Sequence, residues 1–265
     1  MKVGIFNIYW FGDTHGGKFQ HAPTDDARLA SLIRSMNTDV MGFIEIVDVV
    51  RFEALLSTIG PTWTFRDAAN ATLTSIPGSQ HLVLAWKTDT VELVRWTRIH
   101  FGDRQPIVAR LKERATGKEV LAILVHPKSS DFDDPNGIAQ RTQTFKAVID
   151  FLAHPPQEFR DLPAFVFGDL NSLAGSPEQA LLVAPPHGLR VLPPTVVPAG
   201  AGMWTTNLDK KVIDHFVIST GVAVTDGPTI IAYDHDPAID DPGGSTNYVM
   251  KQLSDHRPVR VTFTL

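Results

Sequence analysis

The sequence predicts an α/β protein with mixed β-sheets, built as one domain over residues 1–265. Three observations carry this. Helical apolar spacing alternates with short apolar strand runs along the chain. Between residues 81 and 125, strand runs follow one another too closely for helical crossovers, so they pair antiparallel and exclude an all-parallel barrel. No internal repeat and no linker divides the 265 residues.

The elements follow in order. Lys2 to Tyr9 reads as a first strand ending at Asn7, with a loop through Lys18. A helix opens near Asp25 and Asp26, acids suited to a helix N-terminus. Leu29, Leu32, Ile33 and Met36 recur at its helical spacing, and Asn37 ends it. Asp39 to Ile46 is the next strand. Its Glu45 is a carboxylate among apolar residues and needs a partner. A second helix turns Phe52, Leu55, Leu56 and Ile59 inward and stops at Gly60 and Pro61. His81–Lys87 and Val91–Trp96, joined by three residues, read as a hairpin, as do Pro106–Lys112 and Lys118–Val125. Gly137 to Leu152 is helical, with Arg141 one turn before Phe145 and its head expected to be tied down. Pro163 to Phe167 is a buried strand, and Ser176 to Gln179 is a capping box with proline at the first helical position. Pro185 to Gly202 reads as a long loop, Lys211 to Ser219 as a strand, and 226–244 as an acidic, turn-rich excursion. The chain closes on Ser254, Asp255 and His256 before a terminal strand.

Composition narrows the chemistry. There is no cysteine, hence no disulfide framework and no thiolate metal site or nucleophile. No H-E-x-x-H zinc motif, G-x-S-x-G elbow or P-loop occurs. No run is long and apolar enough for a transmembrane helix, and no signal peptide precedes the first strand. A cytoplasmic monomer is the expectation. Net charge is −5, so nucleic acid would have to be held by a local basic groove.

Polar residues gather where strands end: Asn7, Glu45, His126, Asp169, Asn171, Asp214, Asp255 and His256. Singly, each can close a turn or satisfy a core. Together they exceed what a core tolerates. Glu45, Asp255 and Asn7 offer hard oxygens, suited to Mg2+ or Mn2+. His126 and His256 can move protons or face negative charge, Asp169 can accept a proton from water, and Asn171 can donate to a phosphoryl oxygen.

In the order Asn7, Glu45, His126 to Ser129, Gly168-Asp169-Leu170-Asn171, Ile213 to His215 and Ser254-Asp255-His256, the chain resembles the endonuclease/exonuclease/phosphatase superfamily, of DNase I-like fold. Arg104 to Pro106, Arg141 to Gln143 and Pro258-Val259 also fit. The resemblance implies a four-layer α/β/β/α sandwich of two mixed sheets with the site at one rim. It implies a divalent metal on Glu45, assisted by Asn7 and Asp255. Asp169, held by Asn171, would activate water. His256, backed by a carboxylate, would meet the phosphate as donor or base. His126 would lie near the leaving oxygen with Asp214 beside it. Arg104, Lys128 and Arg141 are the phosphate-contact candidates, with Lys18, Lys210, Lys211 and Lys251 as further cations. Two departures stand out: Ile44 replaces the glutamine common before the metal Glu, and Gln80 or His81 stands where relatives carry an acid for the first histidine. His126 is therefore expected to rely on Asp214 or water. The implied activity is a metal-dependent phosphodiesterase on DNA or RNA. The alternative substrate is a phospholipid, phosphoinositide or small nucleotide-like ester, for which 191–197 is a candidate apolar loop. The 234–241 acidic segment is expected to be a solvated loop.

Overall fold

The computed structural model describes residues 1–13, 24–68, 80–101, 104–185, 188–197, 206, 211–233 and 253–265. Lys18, Lys210, Lys251 and the acidic segment 234–241 lie outside them.

Two sheets form the centre. One holds seven strands in the order β10-β12-β13-β1-β2-β4-β3, the other six in the order β5-β6-β7-β8-β11-β9. The strands of the first are β1 (Lys2–Phe11), β2 (Val40–Ile46), β3 (Trp63–Asp67), β4 (His81–Lys87), β10 (Thr195–Val197), β12 (Ala223–Ile231) and β13 (Val259–Thr264). Those of the second are β5 (Val91–Arg98), β6 (Ile107–Glu113), β7 (Glu119–Val125), β8 (Ala164–Asp169), β9 (Arg190–Val191) and β11 (Asp214–Ile218). Both sheets are mixed: β1 runs parallel to β2 and antiparallel to β13, while β7 runs parallel to β8 and β8 antiparallel to β11.

Side-chain alternation decides the layers. Val3, Ile5, Leu84, Leu124, Phe165, Phe167 and Phe216 point between the sheets into one core cluster. Phe6, Phe43 and Val83 point outward onto α1 (Asp26–Met36) and α2 (Val49–Ile59). On the opposite side Ile123, Val125 and Val166 meet α3 (Pro135–Ala153) and α4 (Pro177–Val183). The result is the expected α/β/β/α sandwich. Gly42 sets the closeness of the sheets, since a Cβ there would lie 2.5 Å from Leu124 and 2.8 Å from Phe167. Capping fixes the helix starts: Asp25, Asp48, Asp134 and Ser176 each accept a backbone N–H of the first turn.

Several expectations change: the expected 185–202 loop contains β9 and β10, and β12 takes in 226–231 of the expected excursion. β4 and β5 are not a hairpin: β4 pairs with β2 and β3, and β5 with β6. Residues 88–90 carry the chain from one sheet to the other, and Trp86 and Val91 both pack into the core between them. In addition, β1 continues beyond Asn7 to Phe11, through a register shift against β2.

Candidate active site

Irregular backbone builds the site at one end of the sandwich. Register shifts between Asn7 and Phe11 on β1, and between Phe43 and Ile46 on β2, lie where Asn7 and Glu45 sit. Glu45 has φ +63°, and Tyr9 and Trp10 are also left-handed. Such conformations cost on the order of 1–3 kcal/mol each and persist only where the surroundings enforce them. The second sheet supplies the facing half. His126 follows β7, and Asp169 ends β8 directly opposite Asp214 of β11. Gly168 has φ +140°, and a Cβ there would stand 2.0 Å from the Val125 carbonyl oxygen, so no other residue fits before Asp169.

Asp169 is the hub. Its Oδ1 accepts from the Asn171 backbone N–H at 2.9 Å and its Oδ2 from Asn7 Nδ2 at 3.1 Å. Its Oδ2 also lies 3.7 Å from Nε2 of both His126 and His256. Asn7 Nδ2 also donates to Glu45 Oε1 at 3.1 Å, tying the two acids together. Glu45 Oε1 is 3.8 Å from His126 Nε2, and its Oε2 accepts from the Trp10 N–H. His256 Nδ1 meets Asp214 Oδ2 at 2.8 Å, and its Nε2 lies 3.9 Å from Asp255 Oδ1. Ser254 Oγ donates to the Asn7 carbonyl at 2.6 Å and accepts the His256 N–H at 2.9 Å, joining the two ends of the motif set. Asn171 Nδ2 donates to the Pro127 carbonyl, fixing the His126 loop.

Electrostatics follow from burial and charge. Burial, then the like charge of Asp214, push the Asp169 carboxyl up to about 7. Burial alone would lower His256, but Asp214, Asp255 and Asp169 outweigh it and hold its imidazole well above the usual range, as a cation. Burial and the Arg104 guanidinium push His126 well below it, so that ring is neutral.

Several assignments need correction. Asp214 serves His256, not His126. His126 instead accepts from Arg104 Nη1 at 2.9 Å through Nε2, and that guanidinium is held by Gln80. A glutamine in place of the acid thus lets an arginine reach the histidine. Arg141 does not contact substrate space. It is wholly buried, its Nε donating to Glu178 at 2.9 Å and its Nη1 to Ser130 at 2.8 Å. The tied-down head is the part of the expectation that holds. Asn7 turns its amide nitrogen to the acids, while its oxygen accepts from Tyr9 N–H. Lys128 is exposed and lines a neighbouring pocket of about 310 Å³ with Phe101, Arg104 and His126.

Glu45, Asp169, Asn171, Asp255, His256 and Arg104 all line one cleft of about 620 Å³. Phe132, under Lys211 at 4.0 Å, forms another part of its wall. The donor chemistry fits a hard divalent cation: Glu45 and Asp255 present carboxylates to the same cleft, and the charge crowding that raises Asp169 includes Glu45. Asp169, Asp214 and His256 also lie within 4.8 Å of one another. That trio is less suited to an ion, because the surrounding acids keep the His256 imidazole protonated and so without a free lone pair.

Acids, imidazoles and a guanidinium thus converge on one cleft at the rim of an α/β sandwich. A model of the Endonuclease/Exonuclease/phosphatase family matches residues 4–256, and the chain belongs to that family, whose members are hydrolases acting on phosphate esters, often with a metal. No curated protein matches the sequence significantly. Among solved structures, an endonuclease/exonuclease/phosphatase from Bacteroides vulgatus aligns with TM-score 0.69 and 16% identity, over 100% of this chain and 98% of that one. A mannosyl-6-phosphatase of Bacteroides thetaiotaomicron aligns with TM-score 0.64 and 16% identity over 100% of both chains. D. rerio TDP2 complexed with a single-strand DNA product aligns with TM-score 0.65 and 15% identity, over 100% of this chain and 99% of that one. At such identities the likeness is one of fold.

Proposed function

We propose that this protein is a divalent-metal-dependent phosphodiesterase that hydrolyses DNA or RNA by water attack on phosphorus. The observation that carries the reading is Asp169 flanked at 3.7 Å by Nε2 of both His126 and His256. A carboxylate whose proton affinity lies near neutrality can take a proton from water as the water oxygen bonds to phosphorus. The bond from phosphorus to the ester oxygen then breaks. Asn171 and Asn7 hold Asp169 in place throughout.

His256, kept cationic by Asp214, is assigned as the donor to a phosphoryl oxygen. Arg104, rather than His126, is assigned as the fixed positive charge on the opposite side, since His126 Nε2 is already an acceptor. Glu45 and Asp255 are the residues that would hold Mg2+ or Mn2+, with Asn7 orienting Glu45. When bound, the cation supplies neutralisation of the phosphoryl charge. D. rerio TDP2, with its single-strand DNA product, supports a nucleic-acid substrate.

The test is turnover of purified protein with Mg2+ or Mn2+ on duplex DNA, single-stranded DNA, RNA, phospholipids and sugar phosphates. Cleavage of a nucleic acid is expected. Hydrolysis of a lipid or sugar phosphate alone would reject the substrate assignment.

A further inference from the structure

We propose that a basic cleft between the two sheet edges, away from the reacting groups, binds a single strand of nucleic acid. This rests on the phosphodiesterase reading and names where its polymer substrate is held. β3 is the last strand of the seven-stranded sheet and β5 the last of the six-stranded one. A cleft of about 540 Å³ is lined by Arg66 of β3 and by Arg95, Trp96, Arg98 and His100 on and just after β5, with no carboxylate among the described residues that line it. In a chain of net charge −5, this concentrates positive charge on one flank.

The groups suit a strand. Arg66 donates to its neighbour's carbonyl and lies over the Trp86 ring, with its side chain exposed. Arg95 is 63% exposed, with only a 3.9 Å approach to Glu158. Arg98 anchors to the Ala68 carbonyl, which fixes the cleft's floor. The Trp96 indole adds an aromatic face. Arginines beside an aromatic ring are the combination that holds phosphates and stacks bases of single strands.

Register places the cleft's end of β5 on the side of the site, with Arg98 opposite Ile107 and Ile107 opposite Leu124. From His100 the chain reaches Phe101 and Arg104, which line the pocket shared with His126 and Lys128. Arg104 belongs to the catalytic cleft as well. His100 of the cleft and Arg104 of the reacting site are thus four residues apart in sequence.

The test compares wild type with R66E/R95E and the milder R66Q/R95Q. Fluorescence anisotropy would follow a labelled single-stranded DNA of about 16 nucleotides in chelator, so that binding is read without cleavage. Removing two phosphate contacts should flatten the slope of log affinity against log salt by about 1.4 and weaken binding on the order of tenfold at low salt. Turnover of bis(p-nitrophenyl) phosphate with metal, and the melting temperature, should stay unchanged. Equal affinity and equal slope in folded variants would overturn the proposal while wild-type cleavage of DNA left the nuclease reading standing. If wild type turned over the small diester but neither bound nor cleaved oligonucleotides, both would fall. Loss of binding to phosphatidylserine vesicles with oligonucleotide binding intact would assign the cleft to lipid and overturn it too.

Discussion

Asp214→Asn separates charge from geometry at the His256 donor. The two side chains meet at 2.8 Å, and both are almost fully buried, at 5% and 2% exposure. Asn keeps the shape and a hydrogen bond to Nδ1 but removes the charge that holds the imidazole as a cation. Burial then weighs more heavily and the proton affinity of His256 falls, with only Asp255 and Asp169 left to oppose it. Hydrogen bonds from charged groups contribute about 1.5–3 kcal/mol against about 0.5–1.5 for neutral ones. Full loss of the charge at Nε2 would cost roughly 1–2 kcal/mol in the transition state, or about five- to thirtyfold in kcat. Asp214→Ala also frees the ring, and should cost about a hundredfold or more. The pH profile carries the stronger test. In the proposed mechanism activity needs Asp169 ionised and His256 protonated, so it should be bell-shaped. Removing Asp214 lowers Asp169, which loses a like charge, and lowers His256, which loses its partner. Both limbs should move to lower pH. The stability from His256 runs the same way: present in full below its unfolded pKa of about 6.5 and lost as pH rises through the higher folded value. A wild-type kcat with an unmoved alkaline limb in Asp214→Asn would refute the reasoning.

Three further outcomes are expected. Asp169→Asn should abolish turnover yet raise the melting temperature in chelator. The folded carboxyl sits at about 7 against an ordinary 3.8, so stability falls as pH rises between those values, and the gain should be largest above pH 7; an unchanged or lower melting temperature there would count against the charge crowding. Gly168→Ala should cost at least about 3 kcal/mol in urea unfolding, from the φ of +140° and the contact with Val125; a wild-type midpoint would contradict this. Arg141→Met alone leaves Glu178 buried without its partner and should cost about 3–5 kcal/mol, whereas Arg141→Met with Glu178→Met should recover most of it; equal loss in single and double variants would rule out an ion-pair origin.

The site was legible because its residues interrupt apolar runs: Glu45 inside a wholly buried strand, and Asp169 and Asn171 at the end of another. Partners were harder to read. The sequence order suggests Asp214 for His126, but antiparallel pairing of β11 with β8 turns it to His256. Arg141 carries the same charge as a phosphate contact, and only burial against Glu178 tells them apart. Among strands, β3 escaped because it is a half-buried edge without a clean alternation. β12 escaped because Asp226, Gly227 and Pro228 read as a turn, while the strand absorbs them in register shifts against β13. The 88–90 connection misled because a short link joins strands facing across the sandwich as easily as strands side by side. The arginines of β3 and β5 were invisible as a group, since they meet only where two sheet edges do.

The Ser254 hydroxyl that clasps the Asn7 carbonyl has a bearing on timing. The two residues stand 247 positions apart in sequence, and β13 must zip onto β1 before they meet. Until then His256 has no fixed place, and Asn7 and Glu45 face an unfinished cavity. The cleft is thus completed by one long-range event in folding, the docking of β13 on β1.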